Sequence, residues 1–295
     1  MRQNGPVTSA TREPETPTSS VPPRLIATDL DGTLLRDDKS VSERTIAALA
    51  AAEKAGIEVF FVTGRPARWM DVVSAHVHGH GLAICGNGAA VVDLHGGPGA
   101  HRFVKVRELA RENAVDAVGL LRDAAPGTTY AVEQTYGFYQ EPAYPKLHME
   151  NPDLRAPAEK LLSANAPGAG QPVLKVLAYH PELDPDDFLA LARLAVGDRA
   201  TITRSSPSAL LEISGPGVSK ASTLALCCAE RGISQEEVIA FGDMPNDVEM
   251  LTWAGQSYAM GNAHPDVTAA ASGRTVANNE DGVAAVIERV LAERM

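Results

Sequence analysis

At 295 residues, 44% of them hydrophobic, the chain is long enough for one large domain or two ordinary ones around a substantial core. Its net charge of −11 argues against a broad basic face for nucleic acid. No run is long and apolar enough to span a membrane, and the N-terminus carries no signal-type apolar segment. Cys85, Cys227 and Cys228 have neither metal spacing nor a disulfide framework, so they read as small core residues in a reducing, cytoplasmic setting.

Taken in order, residues 1–22 are rich in Pro, Thr, Ser and Glu and read as a disordered tail. Leu25-Ile26-Ala27-Thr28 reads as a buried strand running into Asp29-Leu30-Asp31-Gly32-Thr33. Ser40 and Glu43 have capping-box spacing ahead of a helix whose apolar face is Ile46, Leu49 and Ala50 and whose terminator is Gly56. A second buried strand, Ile57–Val62, enters Thr63-Gly64-Arg65-Pro66, where Pro66 suits the first turn of a helix reaching about Val77. Leu82–Cys85 is a third strand, closed by Gly86-Asn87-Gly88. Strand, helix, strand, helix, strand implies an α/β fold with a Rossmann-like, doubly wound parallel sheet.

From about Val91 the pattern changes. Segments 91–94 and 102–104 read as a hairpin and 107–122 as an amphipathic helix. Strands are expected at 128–133, 136–140, 173–179, 200–204 and 209–213, with a helix at 185–196; the Pro- and Ala-rich stretch 141–171 carries little local signal. The alternation returns with a helix from Lys220, a strand 237–241, a strand 257–260, a helix near 265–271, a strand 274–277 and a helix 281–293. The organisation expected is a core of 23–90 and 214–295, interrupted by an inserted α+β domain over 91–213.

Four polar clusters thus fall at strand ends or helix starts: Asp29/Asp31, Thr63, Lys220 and Asp243/Asn246/Asp247. Side chains alternate along a strand, so Asp29 and Asp31 leave its end on one side. Crowded carboxylates imply a proton or a cation. Carboxylates at 29 and 243 suit Mg²⁺, a hard ion bound through few carboxylates plus substrate phosphate. A hydroxyl and an ammonium suit phosphoryl oxygens. Asp29 could attack phosphorus, and Asp31 could protonate the leaving oxygen and later deprotonate water. Phosphate monoesters hydrolyse so slowly unaided, with enhancements up to about 10²¹, that no single donor worth about 3–4 kcal/mol could suffice.

Asp29-Leu30-Asp31-Gly32-Thr33-Leu34, Thr63-Gly64-Arg65, Lys220 and Gly242-Asp243-Met244-Pro245-Asn246-Asp247 resemble, in order and spacing, the four motifs of the haloacid dehalogenase superfamily. The insertion resembles the C2-type cap of its Cof-type branch (subclass IIB), as do Cys85-Gly86-Asn87-Gly88-Ala89, Met260-Gly261-Asn262-Ala263 and Asn279-Glu280-Asp281-Gly282-Val283. The resemblance covers about 24–293. It implies a Mg²⁺-dependent phosphatase of a small phosphorylated metabolite, a sugar phosphate or similar polyol phosphate, working through an aspartyl-phosphate. Asp29 would be nucleophile and metal ligand, and Asp31 general acid/base with its carbonyl on the metal. Thr63 and Lys220 would bind the phosphoryl group. Asp243 would ligate the metal, with Asn246 and Asp247 binding or orienting metal waters and Lys220. Gly64, Arg65, Asn87 and Asn246 complete the expected substrate-binding set, Arg65 because it follows Thr63 at the cleft edge. The cap would cover the site and select the leaving group.

Two other functions compete: a hexose-phosphate mutase, and a binding module merely phosphorylated on Asp29. Asp31 argues against the second, because an acid poised to activate water shortens the life of an acyl phosphate. Gly86-Asn87-Gly88 lacks the third glycine of a dinucleotide fingerprint, and Gly215–Lys220 lacks P-loop spacing. His76, His78 and His80 read as solvated loop histidines, with no local carboxylate or cysteine to make a metal site. Tyr136, Phe138 and Tyr139 are candidates for the substrate cavity or for the core of the insertion.

Overall fold

The computed structural model describes residues 21–74, 81–147, 152–206 and 208–294. The three histidines at 76–80, and all but two residues of the expected tail, lie outside that set. In chain order the first half runs β1 (Leu25–Thr28), α1 (Glu43–Lys54), β2 (Glu58–Val62), α2 (Asp71–Ser74), β3 (Leu82–Cys85), β4 (Ala90–Asp93) and β5 (Arg102–Val106). The middle runs α3 (Arg111–Ala124), β6 (Thr129–Gln134), β7 (Gly137–Gln140), β8 (Leu154–Arg155), α4 (Ala158–Leu161), β9 (Val173–Tyr179), α5 (Pro185–Val196), β10 (Thr201–Thr203) and β11 (Leu210–Ser214). The chain then closes with α6 (Lys220–Glu230), β12 (Val238–Gly242), α7 (Val248–Trp253), β13 (Gln256–Ala259), α8 (Pro265–Ala270), β14 (Gly273–Arg274) and α9 (Gly282–Ala292).

Eight strands form the first sheet in the order β14-β13-β12-β1-β2-β3-β4-β5, parallel from β14 through β3. Its central strands read as continuous apolar runs because both faces are covered. Ile26, Val59, Phe61, Ile239 and Phe241 point to Ala48, Leu49 and Ala52 of α1 and to Val283 and Ile287 of α9. Leu25, Ala27, Phe60, Val62, Val238 and Ala240 point the other way, to Leu224, Cys227 and Cys228 of α6 and to Met250 and Leu251 of α7. All three cysteines are free and buried.

The hairpin expected to open the insertion instead extends this first sheet. β4 pairs antiparallel with β3 and β5 with β4. Val91 joins one core layer and Val92 the other, so the strand is sandwiched like its neighbours. The boundary expected at 91 therefore moves to about 107. Ser42, not Ser40, caps α1: its hydroxyl accepts the Thr45 amide at 3.0 Å, while Ser40 bonds Asp38. The long helix expected after Pro66 begins as a 3-10 turn, Ala67–Trp69, followed by the short α2. α3 starts at Arg111, later than expected.

The second sheet has the order β10-β11-β9-β6-β7-β8. Its Tyr130, Val132, Val176, Ala178, Leu211 and Ile213 pack against α3 and α5 through Val118, Leu121, Phe188 and Ala192. By alternation the opposite face presents Glu133, Lys175, Leu177, Leu210 and Glu212 to a cleft over the first sheet. The chain crosses between the sheets at two adjacent places. Gly215 lies so close to the backbone of Glu108 that a Cβ would come within 2.6 Å of its carbonyl oxygen. Beside them the Arg107 guanidinium donates to Gly217 O at 3.1 Å and to the hydroxyls of Ser222 and Thr223 at 2.7 Å each. Among the described residues no helix is long and apolar enough to cross a membrane.

Candidate active site

β1 delivers Asp29 to the C-terminal edge of the first sheet, where the Asp29 amide donates to Phe241 O at 3.1 Å. The chain turns at once through Gly32, whose φ of +77° favours glycine. A Cβ there would also run into the Asp243 carboxylate. Thr33 donates its hydroxyl to Asp243 Oδ1 at 3.0 Å, and Asn262 Nδ2 donates to Gly32 O at 2.8 Å. Asn278 and Asn279 hold Asp37, and Asp281 holds Arg36, so the segments around 262 and 279–281 brace the Asp29 loop.

The Ser219 hydroxyl caps α6 and accepts the Ser222 amide at 3.2 Å. Lys220 is therefore the first helical residue, and its ammonium reaches Asp29 Oδ1 at 2.6 Å and Asp247 Oδ1 at 2.7 Å. Burial pulls the Lys220 ammonium down, but Asp247 and Asp29 more than offset that and raise it. Oxygens of Asp29, Asp243 and Asp247 all lie within 4.8 Å of one another, and all three residues are buried. Burial, aided by Asp247 and Asp243, holds Asp29 well above the usual carboxylate range although Lys220 opposes it. Burial and then Asp247 push Asp243 up to about 7.

This set meets the requirements of a hard divalent cation. The donors are oxygens, and three carboxylates face one ammonium, which leaves an excess of negative charge that a cation would relieve. Asn246 Oδ1 is buried without a hydrogen-bond partner. Asp247 is placed differently from Asp29 and Asp243: its Oδ1 takes Lys220, and its Oδ2 takes the amides of Asp243 and Met244 at 3.0 and 3.1 Å. It braces the cluster.

Asp31 faces outward into the cleft. Burial pushes its carboxyl up, but hydrogen bonds and charge from Arg65 and Lys39 hold it at about 2. Arg65 meets it in a bidentate fork, Nε to Oδ2 at 2.5 Å and Nη2 to Oδ1 at 2.7 Å, and Lys39 Nζ reaches Oδ1 at 2.8 Å. Thr63 is buried at the end of β2, and its hydroxyl accepts the Arg65 amide at 3.1 Å. Asn87, left-handed at φ +55°, accepts from Asn246 Nδ2 at 2.9 Å and donates to Thr203 Oγ1 of the second sheet at 3.3 Å. One cavity of about 300 Å³ is lined by Asp29, Asp31, Thr63, Gly64, Arg65 and Asn246 below and by the second sheet above. The structure thus brings Asp29, Asp243, Asp247 and Lys220 into direct contact, and Thr63, Gly64, Arg65, Asp31 and Asn246 around the same space. Asn87 stands behind Asn246.

A model of the haloacid dehalogenase-like hydrolases matches residues 26–287. The chain belongs to this family. The hydrolase is 30% identical over 271 residues to the 5-amino-6-(5-phospho-D-ribitylamino)uracil phosphatase YitU of Bacillus subtilis, covering 89% of this chain and 95% of that one. Among solved structures it resembles the phosphatase BT1666 of Bacteroides thetaiotaomicron, with a TM-score of 0.76, 23% identity and coverage of 94% and 98%. It also resembles the subclass IIB sugar phosphatase BT4131, with a TM-score of 0.73, 21% identity and coverage of 90% and 98%. At those identities the two structures establish the shared fold, with its cap.

Sequence reasoning missed five charged residues of the hydrolase's cleft: Lys39, Arg68, Glu133, Lys175 and Glu212. Lys175 is buried and donates to Glu212 Oε2 at 2.5 Å, while Arg68 Nη1 donates to the buried Glu133 at 2.5 Å. The Arg68 guanidinium lies 5.6 Å from the Trp69 ring centroid and 5.3 Å from that of Phe138. Phe138 lines the cavity, whereas Tyr139 packs in the core of the cap and Tyr136 is 72% exposed. A signal did exist for three of the five. Glu133, Lys175 and Glu212 are each the lone charge on their strand, and Lys175 and Glu212 lie between apolar neighbours.

Proposed function

We propose that the hydrolase is a Mg²⁺-dependent phosphatase that cleaves a sugar phosphate or similar polyol phosphate through an aspartyl-phosphate on Asp29. The observation that carries this reading is the placement of Asp29: a buried carboxylate on the Lys220 ammonium, beside Asp243, at the floor of a cavity with Asp31 at its side. YitU, a phosphatase of a phosphoribitylamino uracil, and the sugar phosphatase BT4131 support the substrate class.

In this reading Thr63 and Lys220 hold the phosphoryl oxygens. An oxygen of Asp29 attacks phosphorus as the bond to the leaving oxygen breaks, and that oxygen takes a proton from Asp31. Water then attacks the aspartyl-phosphate, Asp31 accepts its proton, and the Asp29–phosphorus bond breaks to release inorganic phosphate. Asp31 is ionised while Arg65 and Lys39 hold it. Its acid role requires a phosphoryl group to draw off the guanidinium so that the carboxyl can carry a proton. Asp29, Asp243, the Asp31 carbonyl and Asn246 would hold Mg²⁺, with Asp247 bracing Lys220 and the loop. When bound, the ion offsets the negative charge of the phosphoryl oxygens.

The test is phosphate release from a panel of phosphorylated metabolites, with Mg²⁺ or EDTA, for wild type and Asp29→Asn. Mg²⁺-dependent release is expected, falling by about 10⁴-fold or more in the variant, as for removal of a nucleophile. Isomerised hexose phosphate without free phosphate would move the assignment to a mutase.

A further inference from the structure

Among the charged residues that line the cleft on the cap side, Lys175 and Glu212 form a buried pair, with side chains only 5% and 4% exposed. A buried ion pair is a poor source of stability, since well-packed apolar residues of equal volume do as well or better. This pair sits at the seam where cap meets core. Besides Glu212, the Lys175 ammonium holds the backbone carbonyl of Gly64 at 2.7 Å. Burial lowers the ammonium's pKa, but Glu212 and Glu133 more than offset that, so it stays charged. Glu212 is fixed in turn by Ser205. Gly64 is seated so closely that a Cβ would lie 3.3 Å from Asn87 Oδ1 and 3.4 Å from Glu212 Oε1. The flanking carbonyls of Thr63 and Arg65 accept the amides of Asn87 and Gly86 at 3.0 and 2.9 Å. Asn87 then carries the contact to Asn246 on one side and to Thr203 of the cap on the other.

We propose that Lys175 and Glu212 are positioning residues: through the Gly64 carbonyl and Asn87 they register the cap on the two loops that carry Thr63 and Asn246. The two loops take their reacting geometry only when the cap is seated, so catalysis is tied to closure over a bound ester. The effect on turnover rests on the phosphatase reading; the effect on the loops does not.

The test compares wild type with Lys175→Met, the double variant Lys175→Met/Glu212→Gln and Lys175→Arg. The double variant leaves no unpaired buried charge and guards against simple unfolding. The substrates are p-nitrophenyl phosphate and the best metabolite ester, and amide exchange is followed at Gly86 and Asn87. The expected result is a fall in kcat of about 100-fold, the size of a slight misplacement at a distance. It should be equal for both esters with KM little changed, accompanied by faster exchange of the two amides and partly rescued by arginine. A loss confined to the metabolite ester, or seen in KM alone, would make Lys175 a leaving-group contact and overturn the proposal. Unchanged amide exchange in the double variant would overturn it as well. If wild type releases phosphate from no ester, the phosphatase reading fails, while amide exchange still decides the positioning role.

Discussion

Asp243 offers the sharpest test of the carboxylate cluster. Its pKa moves from the ordinary 3.8 to about 7, through burial and then Asp247. At about 1.4 kcal/mol per pH unit, keeping that carboxyl ionised at pH 8 costs the metal-free protein about 4 kcal/mol. The sign follows from proton binding. The folded state holds more protons than the unfolded state between about pH 4 and pH 7, so this group's contribution to stability is lost as pH rises through that window and is flat above it. Asp243→Asn removes the cost and keeps an oxygen for Thr33. In EDTA the variant should melt near wild type at pH 4 and above it at pH 8, by roughly 10 °C at about 2–4 °C per kcal/mol. Mg²⁺ at about 100 times its dissociation constant should add about 2.7 kcal/mol to wild type and little to the variant. Thermal unfolding from pH 4 to 8, with EDTA or Mg²⁺, reads both. A gap between the two proteins that is the same at every pH, or an equal response to Mg²⁺, would refute the reasoning.

Gly32→Ala combines a left-handed backbone with a Cβ aimed at the Asp243 carboxylate. It should cost about 2–4 kcal/mol in thermal unfolding and weaken the response to Mg²⁺; an unchanged Tm would show that the loop moves aside freely. Arg65→Met removes the fork on Asp31, whose depressed pKa contributes stability above its unfolded value that is lost as pH falls toward about 2. The variant should therefore show a smaller difference in Tm between pH 5 and pH 3 than wild type, and phosphate release should fall as well. An identical acid limb would show that Lys39 alone sets Asp31.

The first sheet was legible because its physics is local. Leu25–Ala27 and Val238–Phe241 are apolar throughout, each runs into polar residues, and glycine or proline punctuates the turns that follow. The same strand ends placed Asp29, Thr63 and Asp243, and the capped start of a helix placed Lys220. The cap side of the cleft was not legible, because Glu133, Lys175 and Glu212 meet only through register across strands: Glu133 pairs with Lys175, while Glu212 pairs with Leu177 on the other edge of β9. Nothing in the local sequence singles out Lys39. Its left-handed φ of +68°, uncommon for a lysine, turns its side chain toward Asp31. The β4–β5 hairpin was visible as a hairpin, but which sheet edge it joins depends on Val91 and Val92 filling two separate cores.

The paired crossings at 107–109 and 215–218 make the cap a cassette. Its two ends enter and leave side by side, so an unrelated insert of similar end-to-end separation could be spliced between them without breaking a strand of the parallel sheet. Arg107 sets the limit on that exchange. Its guanidinium fastens the outgoing segment to Gly217, Ser222 and Thr223, next to Lys220. A graft that keeps Arg107 inherits an aligned lysine, and one that cuts ahead of it must rebuild the anchor. New specificities could thus be acquired by swapping everything between Glu108 and Ser214 while the phosphoryl chemistry passes unaltered from one lineage to the next.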